Sequence, residues 1–427
     1  MEFHIYLYVV KLMIFTYAPA GLGHLRVTDA LVESRPKNSP YILLGSIDRF
    51  VTWIHRFTSI NPIGKFIFLK SQYGFFEDLF VLLYRKFLVF NLKTIHRQIR
   101  DIIERSPGGD EVWIIATHFG MAIQIGAIKQ KLIKETGRMV RLIVQVTDDT
   151  SQHIWCIRGS DLTFVPSKYV KEKFVTYAKT KGIPFECEVI PYPLSTMLTK
   201  RIPKGMGHRH KAFTETTGTI KIAVPISGAA VGLGYLTTLI RELGALSKRF
   251  EFWVLVKKSP FTEMFISAMT NLPRTNVLVG KNDIEMITLY ELLYEKNLIH
   301  LEVTKPSEQS FKAIITPSRL GGSALLFTAP VGRQEIENID FLERHGLLST
   351  VGSITYPRAV TLLDDPINAA KQIWEGVESG LFSRMTANNF SFSKSTLESG
   401  EIGGDGATQF WKKTLRKFGK KEIGRIV

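Results

Sequence analysis

Short apolar runs recur along the chain, each closed by glycine, proline, threonine or aspartate and followed by a longer helix-period segment. The first, Leu12 to Phe15, predicts a buried parallel strand, because strands covered on both faces read as continuous apolar runs. A turn with two glycines, Gly21-Leu22-Gly23-His24, follows it, and Arg26 to Val32 reads as a helix. Tyr41 to Leu44 predicts a second strand. Leu92 to Glu104 is helical and is closed by Ser106-Pro107-Gly108-Gly109. Glu111 to Ala116 and Val140 to Val146 are strands, separated by a helix ending near Glu135. Leu162 to Val165, the helix Lys168 to Thr180 and Glu188 to Pro191 complete this half. Strands and helices alternate throughout, which predicts a parallel, doubly wound sheet with right-handed crossovers.

Lys200 to Gly218 breaks the alternation with basic residues, glycines and prolines, and reads as a linker containing a solvated His208-Arg209-His210. A second alternation then begins. Ile220 to Pro225 is a strand, Ser227 to Gly234 a glycine-rich turn, and Tyr235 to Leu246 a helix. Phe250 to Val256, Asn276 to Val279, Leu298 to Val303 and Ala324 to Phe327 are strands with helices between them. Ser310 to Ile315 and Arg333 to His345 are helical, the latter stopped by Gly346. The expected organisation is an α/β chain with two doubly wound, Rossmann-like domains facing a cleft. Their boundaries are 1–199 and 219–390, joined by 200–218, with a basic tail and helix over 391–427.

One region differs in character. Lys65 to Leu69, Phe75-Phe76 and Leu79 to Phe90 mix aromatic, aliphatic and cationic residues. Such a segment suits a membrane interface, with rings among headgroups and cations on anionic lipid. The same pattern also fits two ordinary helices turned toward a core.

Charge favours an anionic partner: the 427 residues carry 55 Lys and Arg against 39 Asp and Glu, a formal charge of +16. Without an RNA-module signature or a dense basic tail, nucleic acid ranks behind membrane phospholipid and phosphate-bearing substrates. The two cysteines, Cys156 and Cys187, show no metal-ligand spacing and are expected to be buried, reduced thiols. Between Phe3 and Gly23 the one charged residue is Lys11, yet no cation precedes the apolar part. That stretch is expected to be a first strand with a short extension rather than a signal anchor. No other uncharged run approaches the roughly 18 residues of a spanning helix.

Four segments in order resemble a known group of two-domain (GT-B) glycosyltransferases. The group includes monogalactosyldiacylglycerol synthases, bacterial diacylglycerol glucosyltransferases and the peptidoglycan N-acetylglucosaminyltransferase. Gly21-Leu22-Gly23-His24 is similar to the group's N-terminal G-x-G-H turn. Val146-Thr147-Asp148, with His153, Trp155 and Phe164-Val165-Pro166-Ser167 after it, resembles a stretch of the galactolipid branch. Thr304-Lys305 and Ser310 resemble the nucleotide-facing loop, and Gln334-Glu335-x-x-Asn338 the element that contacts donor sugar. The chain departs from the pattern at Ala313, where the group places an acidic ribose ligand, and at Arg26, one place later than usual.

The resemblance implies transfer of a hexose from a nucleotide sugar, of the UDP type, to a lipid acceptor by a cytoplasmic protein peripheral on the inner face of the cell membrane. His24, with an ordinary pKa of about 6.5, is the candidate base, and Asp148 either orients it or acts as base itself. Gly21, Gly23 and Arg26 form the acceptor-side loop. Ser227, Gly228, Gly232 and Lys305 are candidates for the diphosphate, and Ser310, Gln334, Glu335 and Asn338 for the rest of the donor. Because a lysine and a helix N-terminus can carry the leaving charge, no metal and no cofactor are expected; Asp148-Asp149 is not a D-x-D pair. Two other classes stay open: a nucleotide-sugar epimerase on the same fold, which would want several carboxylates converging on the sugar, and a degenerate transferase that only binds.

Overall fold

A computed structural model describes residues 12–17, 22–37, 39–45, 70, 72–90, 92–106, 109–203, 209–226, 230–348, 357–387, 392 and 394–419. Twelve strands lie in two sheets of six. The first sheet holds β1 (Leu12–Tyr17), β2 (Tyr41–Gly45), β3 (Glu111–Ala116), β4 (Met139–Gln145), β5 (Leu162–Val165) and β6 (Cys187–Val189) in the order β2-β1-β3-β4-β5-β6. The second holds β7 (Ile220–Pro225), β8 (Phe250–Lys257), β9 (Thr275–Gly280), β10 (Leu301–Thr304), β11 (Ala324–Phe327) and β12 (Ala359–Thr361) in the order β12-β11-β10-β7-β8-β9. Every pairing between these strands is parallel. Both sheets are flanked by helices, and the architecture is a two-domain GT-B fold.

The strands form where expected for a simple reason: β5 and β11 are buried at every position, so nothing in their side chains opposes a two-faced apolar environment. The helices that matter below are α1 (Leu22–Glu33), α2 (Gly74–Phe90), α3 (Lys93–Arg105), α4 (Phe119–Thr136), α5 (Lys168–Thr180), α6 (Leu233–Leu246), α7 (Glu263–Thr270), α8 (Asp283–Lys296), α9 (Arg333–Arg344), α10 (Pro366–Glu378) and α11 (Gly406–Phe418). α1 begins at Leu22 rather than at Arg26, so Gly23 and His24 belong to its first turn. The expected helix at Ser310 is a 3-10 segment over Glu308–Ile314.

α2 presents an unusual surface. Phe75, Phe76, Leu82, Leu83, Phe87 and Phe90 are all exposed, Phe75 by 77% and Phe90 by 92%. The interfacial pattern read from the sequence therefore faces outward over 74–90, whereas Lys65 to Leu69 lie outside the described residues. No helix among the described residues is long and apolar enough to cross a membrane.

Arg209, expected in a solvated loop, is buried instead. Its guanidinium donates to the carbonyls of Ile299 (2.7 Å) and Arg319 (2.8 Å), and to those of Pro317 and Leu320. Arg358 is buried likewise, donating to Gly322 O (2.7 Å) and Ser323 O (3.0 Å). Carbonyl oxygens accept from both guanidiniums, and burial lowers both pKa values, to about 10 and about 9.

The C-terminal helix α11 returns to the first domain. Trp411 is buried there, donating from its indole to Leu31 O (2.8 Å) with its ring edge against Phe15. Phe410 packs on Phe164, and Lys413 pairs with Glu188 at 2.9 Å. Trp411→Ala is expected to lower stability by about 3–5 kcal/mol, the range for emptying a large buried aromatic site. Urea unfolding followed by fluorescence checks this, and a loss below about 1 kcal/mol would show that α11 is dispensable to the first domain's core.

Candidate functional site

The C-terminal ends of β1, β3 and β4 meet α1 at His24. His24 Nδ1 lies 2.8 Å from Thr117 O and 3.2 Å from Thr147 Oγ1. A carbonyl oxygen only accepts, so the Thr117 contact places the ring proton on Nδ1 and makes Nε2 the nitrogen that takes up a proton. The backbone here is pinned as well. The Thr28 hydroxyl donates to His24 O (2.7 Å) and lies 2.8 Å from the Thr117 hydroxyl. The His118 ring meets the His24 ring edge-on at 4.9 Å. Thr147 stands in the quoted Val146-Thr147-Asp148 segment and His118 is a polar residue expected near a strand end, whereas Thr28 and Thr117 are the members of this cluster that the sequence did not announce. Their one signal is position: each sits in a segment where a strand gives way to a helix, or in the first turns of one.

The Thr147 hydroxyl, 3.2 Å from His24 Nδ1, also lies 3.5 Å from Asp148 Oδ2 and so links the two residues. Asp148 Oδ1 accepts 2.8 Å from the Asn338 amide of the second domain. Complete burial, with Glu308 and Glu335 nearby, holds Asp148 well above the usual carboxylate range despite that bond. His153 belongs to a different cluster, stacked on Tyr177 and 3.0 Å from Asp78.

Of the acceptor-side trio, Gly21 lies outside the described residues. Gly23 packs against the Glu308 carboxylate, which crosses from the second domain into the space a β-carbon would fill. Arg26 reaches the same carboxylate at 3.5 Å and lies 4.3 Å over the Tyr290 ring. Both described residues are thus engaged by the opposing domain.

Among the donor candidates, Ser227 and Gly228 lie outside the described residues, and Gly232 caps α6 with φ +81°, a left-handed conformation that glycine adopts without strain. Lys305 follows β10 directly and lies 4.0 Å from Glu335 Oε1. The Glu335 carboxylate also accepts from Val331 N at 2.7 Å. Gln334 is exposed, and the Ser310 hydroxyl turns back to Ser307 O at 2.7 Å. Asn338 is fully buried and joins three partners: Asp148 Oδ1, Asp149 N (2.8 Å) and Pro306 O (3.1 Å).

That contact belongs to a larger interlock that sequence spacing does not reveal. Along α9, Glu337 accepts from Thr150 Oγ1 (2.9 Å) and Ser151 N (3.0 Å), and Arg344 pairs with Asp149. Arg333 donates to Glu337 (3.1 Å), Glu77 (2.8 Å), Gln72 O (2.5 Å) and Ser151 Oγ (2.5 Å). Behind the cleft, Lys312 is buried with Glu302 (2.6 Å) and the hydroxyls of Tyr290 (2.6 Å) and Tyr294 (2.7 Å). Burial lowers the Lys312 pKa to about 8 while Glu302 opposes that shift. Asp29, Glu33 and Glu291 place carboxylate oxygens within 4.8 Å of one another across the domains. Glu33 accepts from the Thr196 hydroxyl at 2.7 Å, and Glu291 from Ser195.

No family model matches the sequence, and no curated protein matches it. Solved structures do match the fold. The chain is similar to the Staphylococcus aureus protein MnaA in complex with UDP (11% identity, 95% of this chain and 96% of that one, TM-score 0.54). It is similar to a putative UDP-N-acetylglucosamine 2-epimerase from Listeria monocytogenes (11% identity, 99% of each chain, TM-score 0.54). It also resembles Arabidopsis thaliana UGT89C1 complexed with UDP-L-rhamnose (11% identity, 96% and 99%, TM-score 0.50).

Two predictions follow from the interlock and the acidic trio. Asn338→Ala is expected to cost about 2–3 kcal/mol, because Asp149 N and Asp148 lose a buried partner together; a denaturation midpoint unchanged from the parent would contradict the geometry. Burial, reinforced by Glu33 and Glu291, raises Asp29 to about 7 from 3.8. The protonated form is therefore favoured on folding, so its stabilisation is present at low pH and is lost as pH rises through about 7. Asp29→Asn should be more stable than the parent at pH 8, with the gap closing toward pH 4, read from urea midpoints across that range.

Proposed function

We propose that the chain is a nucleotide-sugar-dependent glycosyltransferase that moves a hexose to a lipid hydroxyl at an anionic membrane surface, peripheral on the cytoplasmic face of the cell membrane. The observation that carries this reading is the exposed apolar face of α2 beside the His24 cluster. Tyr84 of α2 packs on Phe119 at 6.1 Å, next to His118, whose ring meets that of His24. Gln124 of α4 donates to Leu88 O (3.2 Å), fixing α2 on the helix that starts at the cluster. Lys86 on α2, with Lys93 and Arg97 on α3, is exposed and suits anionic headgroups. A lipid acceptor drawn from such a surface would reach His24 without leaving the bilayer interface.

In this scheme the acceptor hydroxyl gives its proton to His24 Nε2 as its oxygen bonds to the anomeric carbon. The bond from that carbon to the donor diphosphate breaks, and its electron pair leaves on the diphosphate. Lys305, with Ser227, Gly228 and Gly232 ahead of α6 in the chain, stabilises that charge. Glu335 and Gln334 hydrogen-bond sugar hydroxyls. The scheme needs neither a metal nor a cofactor. That the neighbours of similar fold include a UDP complex and a UDP-L-rhamnose complex supports the donor class.

A second reading, epimerisation of the nucleotide sugar itself, is favoured by one finding: the Glu308 and Glu335 carboxylates lie close enough to Asp148 to add to the upward shift that its burial causes. The two are separated by incubating labelled UDP-sugars with and without phosphatidylglycerol vesicles containing diacylglycerol. Transfer puts label into lipid, whereas epimerisation gives a new UDP-sugar with no lipid present.

His24→Ala is expected to lower transfer by about 10²–10⁴-fold while leaving vesicle binding intact. The double change Leu82→Glu, Leu83→Glu should do the reverse, abolishing vesicle co-sedimentation while UDP affinity stays as in the parent. Transfer that survives His24→Ala unchanged removes His24 from the chemistry.

A further inference from the structure

The interlock at Arg333 has a second consequence, which rests on the membrane reading above. Arg333 is the first residue of α9 in the second domain, and outside that domain it contacts the first turn of α2, the residues just before it, and Ser151 in the loop after β4. Its backbone N–H donates to the Gln72 side chain (2.9 Å), and its guanidinium to Gln72 O, Glu77 and Ser151. It also lies 4.9 Å over the Tyr73 ring. Glu77 is buried, and its other oxygen accepts from His153 N at 2.7 Å. The first turn of the lipid-facing helix is therefore built around a cation supplied by the other domain. When the domains separate, Glu77 keeps one partner and loses its counter-charge. A buried carboxylate stripped of its cation is strongly unfavourable, so the turn must rearrange.

We propose that Arg333 couples closure of the two domains to membrane docking of α2. The occupant of the α2 face is an anionic phospholipid surface, which the exposed rings and the adjacent Lys86, Lys93 and Arg97 match in polarity and charge. Docking holds the first turn of α2 in the shape that receives Arg333, and so favours the closed arrangement of the cleft. Closure, in turn, orders that turn for docking. Linkage makes the two effects equal in size. The consequence is a transferase whose cleft assembles on the surface that carries its acceptor.

The test uses the full chain, vesicles of equal parts phosphatidylglycerol and phosphatidylcholine, and three proteins: the parent, Arg333→Gln and Glu77→Gln. Domain separation is read from the distance between spin labels on Lys131→Cys and Lys371→Cys; both native cysteines are buried, so labelling falls on the introduced pair. Coupling predicts that both variants bind vesicles at least about fivefold more weakly than the parent. It also predicts that both broaden the inter-domain distance, and that vesicles narrow it in the parent alone. A charge effect without coupling moves the two variants in opposite directions, because one loses a cation and the other an anion; that result overturns the proposal. So does parent-like vesicle binding in both variants. If instead the Leu82→Glu, Leu83→Glu protein binds vesicles as the parent does, the membrane reading itself has failed, and the coupling falls with it.

Discussion

The carboxamide of Asn338 is the contact on which the cleft depends. It sits at full burial with both ends in use, donating to Asp148 and Pro306 and accepting from Asp149 N. A carboxamide offers two donor hydrogens and an acceptor oxygen on one short planar group, and the three bonds at this position use both ends of it. Around it Glu337, Arg333 and Arg344 extend the same seam, joining α9 to the loop after β4, to Glu77 of α2 and to Gln72 just before it. The relative placement of His24 and Lys305, which belong to different domains, follows from that seam. The apolar side of the junction is separate: Tyr192 stacks on Phe311 at 3.9 Å and donates to Thr147 O at 2.7 Å, fixing the chain where it passes between domains.

Several residues that a motif assigns to ligand binding are therefore used to hold the protein together. Asn338 and Ser310 spend their polar atoms on protein partners, and Asp148 is a buried, protonation-shifted acid tied to Asn338. The groups left for chemistry are fewer and more defined. His24 has its tautomer set by a carbonyl, while Lys305 and Glu335 face each other at the end of β10. Ala313 stands where an acidic ribose ligand was sought, and the Glu308 carboxylate from the same segment crosses to Gly23 and Arg26. That carboxylate occupies the space a β-carbon at position 23 would need.

The strands were legible because parallel strands buried on both faces leave continuous apolar runs, and Leu162 to Val165 and Ala324 to Phe327 match to the residue. The outward apolar face of α2 was legible as one of two alternatives, since periodicity shows that a stripe exists but not what covers it. Long-range polar contacts were not legible. Arg209 looks like part of a solvated loop, because its carbonyl partners lie 90 to 111 residues away and carbonyls leave no trace in sequence. Asp148 and Asn338 are 190 residues apart, and nothing in either local pattern points to the other. The α1 start was misplaced by a few residues because glycine in a first turn breaks the apolar period without breaking the helix.

The proposed chemistry requires a nucleotide diphosphate bound at Lys305, across the cleft from the acceptor-side His24. Isothermal titration of UDP into the parent, His24→Ala and Lys305→Ala proteins tests it most directly. The account predicts saturable binding to the parent, unchanged by His24→Ala and weakened by about tenfold or more in Lys305→Ala, the loss expected for a charged hydrogen bond to phosphate. Absence of saturable heat with the parent, or equal affinity in Lys305→Ala, would contradict it.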